Sequence, residues 1–273
     1  MAYKDIIVHM GGVSIDERAR VAVKLAEDHG AHLVGLHVTQ PPDVPAYVEA
    51  QLTSEMLQAQ ERYARQDRDN AQAAFDKAIK GVSVSTEWRA VQGDAIEALK
   101  LHGRHTDLAV IGQTNPETTA AINLSIAGRV ALSLGRPVLV IPYQGKFETV
   151  GQNVLVAWDG SRAAARALGD AIPLLQMARA VNVLSLSSTE DRSAMVGVDI
   201  ATHLARHDIR VEVRHLHADD AKVGEKLLSS AADFGSDMLV MGAYGHARWR
   251  ELVFGGVTEH MLEHMTLPVF MSH

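Results

Sequence analysis

The sequence contains no cysteine. Disulfides, thiolate metal sites and a cysteine nucleophile are therefore excluded, and a reducing cytosol suits the chain. Aromatic residues supply only 5% of positions against 47% hydrophobic overall, so the core must be built from Ala, Val, Leu, Ile and Met. That palette fits helices packed on a parallel sheet. Positive charge is also scarce. A formal net charge of −7 argues against a nucleic-acid backbone as the main partner, since such binders carry a basic stripe. No apolar run approaches the roughly 20 residues of a membrane span, so no membrane association is expected. The stretch Met1-Ala2-Tyr3-Lys4-Asp5 lacks the apolar segment of a secretion signal, which points to the cytoplasm. The spacing G-x-x-x-x-G-K-[ST] is missing, which disfavours a Walker-type hydrolase. Met10-Gly11-Gly12-Val13-Ser14 lacks the leading Ser and the Asp of the S-G-G-x-D-S pyrophosphatase loop.

What is present is an internal repeat. Lys4 to Gly12 aligns with Gln152 to Gly160, each an apolar strand that ends in a glycine turn and leads into an Ala-rich helix. These helices are expected over Arg18 to His29 and Ala163 to Ala178. Leu108-Ala109-Val110-Ile111-Gly112 aligns with Met238-Leu239-Val240-Met241-Gly242, and Pro137 to Val140 aligns with Pro268 to Met271. Two βαβ-rich halves, 1–146 and 150–273, abut at a short polar linker. The first half predicts strands at Asp5–His9, His32–Val38, Val84–Arg89, Leu108–Ile111 and Val138–Ile141. Between the second and third of these lies a helical tract, Tyr47 to Lys80, in which Leu52, Met56, Tyr63 and Phe75 suggest an apolar stripe. The tract reads either as a solvated helix at the sheet edge or as a partner or lid surface. The second half crosses from Ser187 to Ile209 with one main helix. Strands alternating with helices imply right-handed crossovers and a mostly parallel sheet in each half.

The densest chemistry lies between Met238 and His273. The apolar run Met238 to Met241 breaks at Gly242, Gly245 follows, and a basic loop with His246, Arg248 and Arg250 leads to Gly255-Gly256. Glycines after a strand permit positive φ and close approach of backbone N–H groups to an anion. A helix N-terminus at Gly255-Gly256 adds unpaired N–H groups and a favourable dipole. Each glycine alone also fits a tight turn. In open α/β sheets ligands sit beyond the carboxyl ends of the strands, which couples this loop to the Asp159-Gly160-Ser161 turn after the half's first strand. Asp159 can accept hydrogen bonds from ribose hydroxyls or cap the next helix.

The spacing G-x-x-G-x9-G, carried by Gly242, Gly245 and Gly255, resembles the nucleotide-binding motif of the universal stress protein family. Gly256 stands where that family usually has Ser or Thr, and Val257 and Thr258 match its usual continuation. The resemblance covers nearly the whole chain. It implies an α/β fold of two tandem Rossmann-like (adenine nucleotide alpha hydrolase-like) domains, each a mostly parallel five-stranded sheet flanked by helices. It also implies that the last strands, Val138–Ile141 and Val269–Met271, pair within the chain as a pseudo-dimer, with homodimerisation open. The function implied is a cytoplasmic stress-response protein that binds ATP or another adenine nucleotide, with or without Mg²⁺, in the second half. The site implied comprises Ala157, Asp159, Gly160, Ser161, Leu186, Met241, Gly242, Gly245, His246, Arg248, Gly255, Gly256, Val257 and Thr258.

The first half departs from this pattern. Gly11 stands where the second half has Asp159; Gln113, Thr114 and Asn115 follow Gly112; and Leu124 occupies the place of Gly255, with Ser125 and Ile126 after it. The expectation is a retained fold without nucleotide binding. Histidine pairs His203/His207 and His260/His264 at i,i+4, and His215/His217 on a strand, fit either surface positions or zinc. No catalytic constellation emerges. Two other functions stay open: an interaction protein that takes a protein or lipid-like ligand, and a slow ATPase, with zinc or without.

Overall fold

The computed structural model describes residues 2–40, 53–115, 125–187, 199–217, 223–245 and 256–273. The first half runs β1 (Asp5–His9), α1 (Ile15–His29), β2 (His32–Thr39), α2 (Ser54–Ala78), β3 (Thr86–Gln92), α3 (Ala95–Gly103), β4 (Leu108–Gly112), α4 (Ile126–Ser133) and β5 (Val138–Ile141). The second runs β6 (Asn153–Trp158), α5 (Arg162–Leu175) and β7 (Ala180–Ser187), then a helical segment α6 over residues 199–205. It closes with β8 (Val211–His217), α7 (Val223–Asp233), β9 (Met238–Gly242), α8 (Val257–His264) and β10 (Val269–Ser272).

All ten strands form one sheet in the order β3-β2-β1-β4-β5-β10-β9-β6-β7-β8. Within each half every pairing is parallel, and both halves have the same order, with the first strand between the second and the fourth. The halves meet at an antiparallel seam, where Val269, Phe270 and Met271 oppose Val140, Leu139 and Val138. This is the intrachain pseudo-dimer expected from the two apolar last strands, and it removes two open edges that would otherwise invite pairing between molecules. Along β1, Ile6 and Val8 face one apolar layer and Ile7 the other, as the two-residue strand period requires. The first layer packs α1, Ala71, Ala74 and Phe75 of α2, α5 and α6. The second packs α3, α4, α7 and α8.

Three expectations are corrected. The third strand runs from Thr86 to Gln92, not Val84 to Arg89: at the edge of the sheet none of its residues is buried, and Val91 continues the ladder opposite Val38. Helix α1 begins at Ile15, before Arg18, with Asp16 and Glu17 in its first turn, where the dipole favours acids. No stripe forms on α2. Met56 and Tyr63 are 52% and 77% exposed, Phe75 is buried beside Trp88, and Leu52 lies outside the described residues.

Candidate functional site

At the end of β6 the chain turns through Asp159-Gly160-Ser161. The Ser161 backbone N–H donates to Asp159 Oδ1 at 2.9 Å, and Gly160 takes the left-handed φ of 72° that this turn needs. Ser161 Oγ then accepts from the Ala164 N–H at 3.1 Å and caps α5. Of the two roles open to Asp159, helix capping thus falls to Ser161, and the carboxylate shapes the turn.

The loop after β9 comes to the same place. A Cβ at Gly245 would stand 2.8 Å from Ser161 Oγ, so the two turns touch across the crevice where strand order reverses. A Cβ at Gly242 would stand 2.5 Å from the Ala164 nitrogen and 2.6 Å from the Ala163 carbonyl carbon. Gly242 is therefore required by the first turn of α5 lying flat on β9, whatever else it does. Tyr244, between the glycines, holds a left-handed φ of 52°. Its N–H donates to Thr258 Oγ1 at 3.0 Å, and its hydroxyl donates to the Glu259 carboxylate. Burial, then that carboxylate, pushes the Tyr244 hydroxyl well above its ordinary pKa and keeps it a proton donor. Thr258 is buried and its oxygen is committed to the loop. At the start of α8, Gly256 has extended backbone (φ −82°, ψ −171°), no side-chain cap and open space where a Cβ would project. The β6 turn, the β9 loop and the α8 N-terminus thus surround one crevice.

The other sequence-predicted positions divide cleanly. Ala157 and Met241 are buried in β6 and β9, where they pair with Leu184 and Met271. Val257 is half-buried in the first turn of α8. Leu186 is paired with Leu216 through the backbone, and its side chain lies outside the described residues. So do His246, Arg248 and Gly255. Sequence reasoning missed Tyr244 and Glu259. The only signal was Tyr244's place inside the glycine pair, and a left-handed tyrosine is not announced by its neighbours.

The first half has used its equivalent crevice differently. Gln113, which stands in place of loop residues, is buried and reaches across the seam to the end of α8. Six of the eight buried positions of α1 (Arg18, Ala19, Ala22, Val23, Ala26, His29) run in phase with six of the seven of α5 (Ala163, Ala164, Ala167, Leu168, Ala171, Leu174). Arg18 therefore takes the place that Ala163 has in the second half.

The histidine pairs pack with each other edge to face, with ring centroids 4.9 Å apart for His203/His207 and 4.4 Å for His260/His264. His260 also fills the space over Gly224, where a Cβ would come within 2.3 Å of its ring. His215 lies on β8, and the side chain of His217 is outside the described residues. Among the described residues no group of three histidines, aspartates or glutamates is placed to hold a metal. None of the described helices is long and apolar enough to cross a membrane.

Two α/β units of identical strand order, joined back to back through their last strands, define a tandem Rossmann-like protein. The sequence pattern of the universal stress protein family matches residues 2–142 and again residues 151–273, and the chain belongs to that family. A universal stress protein of Synechocystis sp. is 31% identical over 146 residues, which cover 52% of this chain and 48% of that protein. The chain thus spans about half the length of the curated relative it matches. The crystal structure of a universal stress protein from Archaeoglobus fulgidus DSM 4304 superposes over 98% of this chain and 95% of its own, at 14% identity and a TM-score of 0.76. That of a putative universal stress protein from Pseudomonas aeruginosa UCBPP-PA14 covers 99% and 93%, at 16% identity and a TM-score of 0.61. At those identities the likeness is one of fold.

Proposed function

We propose that the second half binds ATP or another adenine nucleotide, with or without Mg²⁺, and that occupancy serves as a sensor or switch in a cytoplasmic stress response. The observation that carries this reading is the meeting of Ser161 with Gly245 at the switch point, beside the uncapped first turn of α8. Small residues at Gly245 and Gly256 leave backbone N–H groups open to a polyphosphate, and the helix dipole favours its charge. Asp159 at the crevice mouth supplies acceptors for ribose hydroxyls.

The test is calorimetric titration of nucleotide-stripped protein with ATP and Mg²⁺, repeated on Gly245→Val. A Cβ here meets side-chain atoms first, Ser161 Oγ at 2.8 Å and Ala163 Cβ at 3.4 Å, so the valine narrows the crevice. Saturable binding near one equivalent in the parent chain, lost in a variant that still unfolds cooperatively, supports the reading. Equal binding by both chains overturns the site, and no heat from the parent overturns the function. Gly242→Val is unsuitable for this purpose, since it collides with the helix backbone and tests packing instead.

A further inference from the structure

The crevice of the first half carries a feature that the second lacks. Arg18 is 2% exposed, on the inner face of α1, and among the described residues it forms no ion pair. Its guanidinium spans the point where strand order reverses in this half: Nη2 donates to the carbonyl of Gly11 after β1, and Nη1 lies directly against Gly112 at the end of β4. A second, long contact runs from Nη1 to the Val13 carbonyl at 3.4 Å. Nε is buried without a partner. Two more basic side chains surround the same turn. His9 is 7% exposed, and a Cβ at Gly11 would lie 2.9 Å from its Nε2. His37 is fully buried; its Nδ1 is 2.9 Å from the Met10 carbonyl, and its Nε2 is 3.7 Å from Asp67 Oδ2 on α2, a side chain 56% exposed.

A guanidinium is charged at any physiological pH, and burying a charge without a counter-charge costs several kcal/mol. Two carbonyl contacts use only part of its fork of five donors. The fold does not impose that cost: the in-phase residue of α5 is Ala163, and the second half folds the same way around it. The first half has thus lost the glycine loop expected of a polyphosphate site and gained a fixed cation in its place.

We propose that the first half binds a small tetrahedral oxyanion, inorganic phosphate or sulfate in size and charge, at the β1–β4 crevice, with Arg18 as its counter-charge and His9 beside it. The neutral ring of His9 can donate a hydrogen bond to such an anion. This site is independent of nucleotide binding in the second half, and it makes the tandem chain an asymmetric two-ligand protein.

Equilibrium dialysis of the full chain against radiolabelled inorganic phosphate tests it, with sulfate and chloride as competitors. The parent chain should hold a phosphate that sulfate displaces and chloride does not, and Gly245→Val should keep it. Arg18→Met should lose it, and Arg18→Lys should bind at least tenfold more weakly, because a single ammonium cannot replace the planar fork. The lysine variant keeps the test decisive should the methionine variant fail to fold. Loss in Gly245→Val with retention in Arg18→Met would locate the anion in the second half and overturn the proposal. So would a parent chain that binds no phosphate, which would make Arg18 a plug and not a receptor.

Discussion

Gln113 of the first half donates its side-chain amide to the carbonyl oxygen of Leu262, at 2.8 Å, in the last turn of α8 in the second half. The same amide nitrogen reaches the Glu263 carbonyl at 3.2 Å, and the Gln113 Oε1 accepts from the Tyr143 N–H at 3.1 Å. The C-terminus of a helix leaves carbonyls without intrahelical partners, and here one buried side chain from the other domain satisfies two of them. The helix that opens at Gly256 is therefore held at its far end by the half that lacks the glycine loop. This gives the first half a mechanical role in placing α8 beside the candidate site of the second.

Gln113→Leu should accordingly destabilise the whole chain. The leucine fits the volume roughly but leaves the buried Leu262 carbonyl unpaired, at about 1–3 kcal/mol for a group that water cannot reach, and strips a partner from the part-buried Glu263 carbonyl and Tyr143 N–H. Urea unfolding followed by far-UV circular dichroism reads the change as a lower midpoint at unchanged slope. If the midpoint stays within error of the parent, the amide is not holding α8.

Gly242 and Gly256 should respond oppositely to a small side chain. Gly242→Ala inserts a Cβ 2.5 Å from the Ala164 nitrogen, which helix α5 can relieve only by lifting from the sheet. Overpacking of this kind costs about 1–3 kcal/mol. Gly256→Ser meets nothing within 4 Å, has an extended φ of −82° that any residue adopts, and supplies the hydroxyl that α8 lacks as an N-cap. A gain of a few tenths of a kcal/mol is expected from capping alone. If the crevice takes a nucleotide, the same hydroxyl also tightens binding. Thermal unfolding of the two variants beside the parent gives the signs directly.

The architecture was legible for a specific reason. Strands buried on both faces read as unbroken apolar runs, so the repeat could be aligned residue by residue. The ladders agree with that alignment: Ile6 pairs with Leu108 and Val154 with Met238, the positions that the sequence comparison matched. The edge strand β3 was misplaced because none of its residues is buried, which leaves its apolar signal weak. In the crevice, the Asp159-Gly160-Ser161 turn and Gly245 were readable from residue type. Arg18 was not. An arginine at the start of an amphipathic helix looks solvated, and only the longer turn after β1 rotates it inward. Met56 and Tyr63 failed in the opposite sense, since their spacing resembles a buried stripe on a helix segment that packs against nothing among the described residues.

Acid should weaken the fold well before its carboxylates titrate. Burial, then the charges of Arg18 and His37, lowers the His9 pKa from 6.5 to about 3. Burial also lowers that of His29. In the unfolded chain both rings take up a proton as pH falls through about 6.5, while in the folded chain His9 stays neutral down to about 3. The unfolded state therefore binds more protons across that window, and stability rises with pH there and is lost as pH falls. Glu17, held below its ordinary range chiefly by the Arg20 hydrogen bond, adds its own loss only under about pH 4.5. Between pH 6.5 and 5 only histidines act, His102 among them, since burial lowers its pKa too. Each site that differs fully in protonation contributes about 1.4 kcal/mol per pH unit. Guanidinium midpoints at pH 7, 6 and 5 should fall steadily for the parent chain and distinctly less for His9→Gln, which keeps a hydrogen-bonding side chain without the titration. Equal slopes for the two proteins would show that His9 is protonated, and paid for, inside the fold. If phosphate occupies the neighbouring crevice, adding it should flatten the parent's slope as well, because the anion favours the protonated ring.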